Sequence, residues 1–114
     1  MPRGIVKKLA DTPSVPCPCG EAARILTSED NDALSVHVVR ISKDSEKHYH
    51  TRLTETYYVL EGSGVMELDD ERVEIAPGDV IHIPPGVRHR AVGRLTILNI
   101  VTPPFDPEDE HVVA

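Results

Sequence analysis

Turn residues interrupt the apolar and β-branched runs of this chain too often for helices to form. Residues 33–41 are rich in β-branched side chains and free of Gly and Pro, and residues 56–60 make a second such run. Gly62-Ser63-Gly64 reads as a turn. Residues 65–68 and 72–75 alternate in hydropathy on either side of Asp69-Asp70-Glu71, the pattern of a hairpin. Pro77-Gly78-Asp79 marks another turn, and Pro84-Pro85-Gly86 ends the short run 80–83. Residues 89–92 and 95–101, separated by Gly93-Arg94, read as two more strands. No stretch keeps a 3.6-residue period over a helical length. About seven or eight short strands, with turns every 8–12 residues or so, predict an all-β sandwich or barrel.

With 114 residues the chain is expected to be one domain. Residues 1–32 hold no long periodic segment and read as an N-terminal arm, with Ile5, Val6, Leu9, Ile25 and Leu26 available for short strands. Residues 33–102 form the barrel, and the Pro-rich, acidic tail 103–114 is expected to be irregular. Parity adds one expectation about assembly. Leu95, Ile97 and Val101 lie on one face of their strand and Leu98 and Ile100 on the other. Two apolar faces imply that the outer one is covered too, by the arm or by a second copy, so a homodimer is expected.

Charge narrows the partners. Twelve Lys and Arg against nineteen Asp and Glu leave a net charge of −7 and no basic stripe, which argues against nucleic acid and anionic membrane. No apolar run approaches the ~18 residues of a spanning helix, and the first twenty residues lack a secretory h-region. A cytoplasmic protein is expected. Cys17 and Cys19, in Cys17-Pro18-Cys19, are too few for a disulfide framework, and a bridge between them would close a strained ring. They read as reduced thiols, with an auxiliary soft-metal or redox site as the alternative.

The histidines carry the chemical signal. His48 and His50 are two apart, so on a strand both imidazoles point to one side. Glu55 follows a short polar turn and can return from the neighbouring strand. Gly78, Pro84 and Gly86 set a tight bend that aims His89 inward. Three imidazoles and one carboxylate make a mixed N/O donor set suited to first-row transition metals. His48-x-His50-x4-Glu55-x6-Gly62 resembles the first motif of the cupin superfamily, and Gly78-x5-Pro84-x-Gly86-x2-His89 resembles its second. The resemblance covers residues 42–93, with two departures: Ser42 stands where the pattern has Gly, and Gly93 where it has Asn.

This resemblance implies a small jelly roll, a double-stranded β-helix, with His48, His50, Glu55 and His89 as ligands of one divalent ion: Fe, Mn, Ni, Zn or Cu. It implies open coordination positions and a small-molecule substrate, with dioxygenase or sugar-isomerase-like chemistry leading. A non-catalytic ligand-binding or sensor module is the alternative, and a dimerising domain with a vestigial pocket is a third. Glu55, as a base, and Tyr57, as a donor sharing its parity, are the candidate catalytic groups, whereas Tyr58 faces the other way. Arg40 and Asn99 are candidate substrate contacts. His37 and His82 are expected at a surface or interface.

Overall fold

The structure, a computed structural model, describes residues 3–113; Met1, Pro2 and Ala114, at the outer ends of the arm and tail, lie outside it. Among the described residues nine strands form one antiparallel sheet: β1 (Ser14–Cys17), β2 (Gly20–Leu26), β3 (Ser35–Ile41), β4 (His48–Tyr49), β5 (Thr54–Leu68), β6 (Glu71–Ile75), β7 (Val80–Ile83), β8 (His89–Thr102) and β9 (His111–Val112). Two 3-10 turns, Leu9–Asp11 and Pro107–Asp109, are the remaining regular elements. The fold is all-β. The sheet curls so that one face closes over a core of Val59, Met66, Ile81, Ile83, Leu95 and Ile97, all buried.

Two long strands organise the sheet. β5 and β8 pair along nearly their whole length, from Thr54 opposite Thr102 to Leu68 opposite His89. The other edge of β5 takes β7 and then β6, while the other edge of β8 takes β3 and then β4. Two expected turns are therefore absent: Gly62-Ser63-Gly64 lies inside β5 and Gly93-Arg94 inside β8. Gly64 sits directly opposite Gly93, and a Cβ on Gly64 would fall 2.2 Å from the Val92 carbonyl oxygen. These glycines permit a close approach of two backbones rather than a reversal of the chain. The hairpin around Asp69 and Asp70 forms as expected, with Leu68 opposite Glu71.

The ends of the chain join the same sheet. β1 and β2 make a hairpin turning at Pro18-Cys19, and β2 pairs with β3 from Gly20 opposite Ile41 to Leu26 opposite Val36. The Cys19 carbonyl accepts from the backbone N–H groups of Ser42 and Lys43 at 2.9 and 3.1 Å, which ties the hairpin tip to the end of β3. Cys17 and Cys19 are free and half-buried, with their sulfurs 3.1 Å apart. Burial, reinforced by Cys17, pushes the Cys19 thiol up to about 12. The acidic tail, expected to be irregular, instead makes a 3-10 turn and then β9, which pairs with β4. The reason is Asp109. Its buried carboxylate accepts the backbone N–H groups of Thr51, Arg52 and Leu53 at 3.0, 2.8 and 3.1 Å, and also the Thr51 hydroxyl. That local bonding fixes the tail against the loop that follows β4.

Candidate metal centre

The geometry of β4, β5 and β8 brings together residues far apart in sequence. His48 is the cross-strand partner of His89. His50 follows β4, and its carbonyl accepts from Gly86 N–H at 2.7 Å, so the turn of the second motif is bonded to the first. Glu55, on β5, is opposite Val101 of β8 and Ile83 of β7. One ligand atom from each of His48, His50, Glu55 and His89 can be chosen so that all four lie within 4.8 Å of one another. His50, Glu55 and His89 are buried and His48 is half-buried.

Hydrogen bonds fix how these groups face each other. His89 Nδ1 lies 2.9 Å from the Val87 carbonyl, to which it can only donate, and Nε2, 3.0 Å from Glu55 Oε1, is turned to the cluster. The Nδ1 of His50 is 3.4 Å from the same oxygen. Glu55 Oε2 accepts from Asn99 Nδ2 at 2.7 Å. Burial works to raise the Glu55 carboxyl, but the His89 hydrogen bond, the neighbouring imidazoles and the Asn99 amide together hold it below the ordinary range. Burial also pushes His50 down, which favours the neutral imidazole that can offer a lone pair. The His50 Nε2 atom is buried with no hydrogen-bond partner. An orphaned nitrogen among two other imidazoles and a carboxylate is what a cation-binding cluster leaves, since such an atom otherwise carries an uncompensated desolvation cost. The residues present could hold a metal ion.

A cavity of about 420 Å³ opens beside the cluster, lined by His48, Glu55, Tyr57 and Asn99 among others. Tyr57 is buried there and Tyr58, on the opposite face, is exposed. Asn99 reaches the cavity, but Arg40 is exposed and does not line it. His82 is exposed as well, with Thr56 Oγ1 3.0 Å from its Nδ1. His37 corrects the expectation of a surface or interface histidine: it is 5 % exposed and lines the cavity. Its neighbours Val36 and Val38 belong to the outer face, which is also apolar, so parity with aliphatic residues misplaced it. Glu110 went unrecognised too. Its carboxylate is 3.4 Å from His48 Nε2, and the acidic run Asp109-Glu110 beside His111 was the available signal.

A model of the cupin domain matches residues 36–96, more than half of the chain. The chain belongs to the cupin family. This cupin is 36 % identical over 85 residues to an uncharacterized protein of Methanocaldococcus jannaschii, a match spanning 71 % of this chain and 68 % of the relative. A crystal structure of a protein from Planctomyces limnophilus superposes with a TM-score of 0.88 at 42 % identity, covering 97 % of this cupin and 96 % of that chain. Quercetin 2,3-dioxygenase of Bacillus subtilis is 43 % identical over 42 residues, which is 37 % of this chain and 12 % of the dioxygenase. The curled sheet is thus a small single-domain cupin barrel, the jelly roll that the two motifs imply.

Proposed function

We propose that His48, His50, Glu55 and His89 hold one divalent first-row transition ion, and that this cupin acts on a small polar molecule bound in the adjoining cavity. The observation that carries this reading is the convergence of four ligand atoms within 4.8 Å at the cavity wall. An ion bound there would supply Lewis acidity and, if redox-active, oxygen chemistry. The protein's own groups do the rest. The Val87 carbonyl orients His89, and Asn99 holds Glu55 by one oxygen, so the carboxylate is fixed by a neighbour rather than by solvent. Burial raises the Tyr57 phenol well above its ordinary value, so it stands in the cavity as a protonated donor.

Oxygenase chemistry is the leading activity, supported by the short similarity to quercetin 2,3-dioxygenase, with sugar-isomerase-like chemistry the other enzymatic option. The reading includes a homodimer. Val36, Val38, Leu98 and Ile100 share the outer face of β3 and β8 and are only half-buried, and Tyr58 beside them is exposed. A second copy covering that strip would remove apolar surface from water.

Elemental analysis of protein purified without added metal, and after incubation with Fe(II), Mn(II), Ni(II), Zn(II) and Cu(II), tests the centre. Near-stoichiometric ion in wild type, lost in His50→Ala while the fold is kept, is expected. Wild type that takes up none of these ions refutes the reading. A metal-loaded protein silent in oxygen-uptake and isomerase assays, yet stabilised by a small ligand, would be a capture module instead.

A further inference from the structure

Strands β2, β3, β8 and β5 lie side by side, and residues opposite one another across strands share a face. Two successive rows on the inner face differ in kind. Ala22, Val39, Ile97 and Val59 form one row, all aliphatic and buried. In the next, Arg24 is opposite His37, His37 opposite Asn99, and Asn99 opposite Tyr57. All four line the cavity beside the metal-ligand cluster. His37, Tyr57 and Asn99 are buried there, where polar groups cost desolvation unless they are partnered, while Arg24 stands exposed at the end of the row.

This row is only half partnered. Asn99 is 6 % exposed and gives Nδ2 to Glu55, which fixes the amide's orientation and leaves Oδ1 buried without a hydrogen-bond partner. Of the two Arg side chains that line this cavity, Arg90 meets the Glu67 carboxylate, whereas among the described residues Arg24 meets none. Its guanidinium is held 5.6 Å over the ring of Phe105. Phe105 is fixed in turn: its N–H donates to Ser35 Oγ at 2.9 Å, and its ring meets His37 edge to face at 5.5 Å. Burial and the charge of Arg24 push His37 down to about 4, so it adds polarity to the row without a second positive charge.

We infer that this row is a recognition strip for a small carboxylate, with the carboxylate on Arg24, an O–H or N–H of the ligand on Asn99 Oδ1, and a chelating oxygen group at the metal end. The inference rests on the metal reading above. An unpaired guanidinium presents the planar fork that carboxylates fit. Asp44, Glu46 and Glu110 line the same cavity, so a single negative charge is tolerated better than the double charge of a phosphate. Length is constrained as well. Arg24 and Asn99 are two strand spacings apart, about 10 Å between their backbones. A ligand serving both ends therefore separates its carboxylate from its chelating oxygens by several bonds.

Three probes in calorimetric titrations of the Zn(II)-loaded protein test this: 3,4-dihydroxybenzoate, catechol and benzoate. Dihydroxybenzoate is expected to bind wild type at least about tenfold more tightly than catechol, the size of one charge-assisted contact. Benzoate, lacking the chelating end, should bind weakest. Arg24→Gln should abolish the advantage of dihydroxybenzoate while leaving catechol affinity and bound zinc unchanged, and Arg24→Lys should keep part of it. Because Arg24 is exposed, neither substitution opens the core. Equal affinity of the two catechols for wild type, or an advantage that survives Arg24→Gln, overturns the strip while zinc remains bound. Wild type that binds no zinc overturns both the strip and the metal reading.

Discussion

Both oxygens of Glu55 are engaged, Oε1 by His89 and Oε2 by Asn99, so the amide helps set the carboxylate's angle. Replacing it should be felt at the ion. Asn99→Ala is expected to weaken Zn(II) binding roughly ten- to a hundredfold, the usual effect of losing a group that orients a ligand. Competition with a chromophoric chelator would measure it; unchanged affinity would mean that Glu55 needs no such support. His48, His50, Glu55 and His89 were legible in sequence because each signal is local: two residues of one strand, a short return, a Pro-Gly bend. Asn99, Arg24 and His37 were not legible as a set, since only the registers of four strands place them in one row.

At the scale of elements, the glycines and the tail decide most. Gly64→Ala would drive a methyl group into the Val92 carbonyl, a backbone atom that cannot swing aside. The expected loss is about 2–4 kcal/mol of stability, read from urea unfolding. A turn at Gly64 would predict a far smaller loss. From sequence a glycine in a reversal and a glycine in a close crossing look alike, which is why two long strands were read as four short ones. Asp109 is the second decisive contact. Burial works against its ionised form, but the Thr51 hydroxyl and the N–H groups of Thr51, Arg52 and Leu53 hold its carboxyl far below the ordinary 3.8. The unfolded chain therefore binds the proton more readily, so the contribution of Asp109 is complete above that ordinary value and is lost as pH falls below it. Asp109→Ala should cost about 2 kcal/mol at pH 7, and the gap to wild type should narrow progressively in melts taken below pH 3.8. The partners are 56–58 positions apart, beyond any local pattern in the sequence.

For the whole molecule, the outer strip of Val36, Val38, Leu98 and Ile100 gives the next expectation. Light scattering should return twice the 12.6 kDa of one chain, and Leu98→Glu should halve it without unfolding the protein. A wild-type monomer at high concentration would contradict the dimer. The all-β class and the barrel were legible because strand patterning and both motifs agree. The pairing of the tail with β4 was not, because Pro-rich acidic composition usually marks chain that stays loose.

Strand β8 has a bearing on synthesis. It borders β3, β4 and β5, and it carries both His89 and Asn99. On the ribosome His48, His50 and Glu55 emerge well before it, but no neighbour yet holds them in place. A four-ligand centre as proposed would be complete only once residues 89–102 have left the exit tunnel, so full coordination of an ion would follow the pairing of β8 rather than precede it.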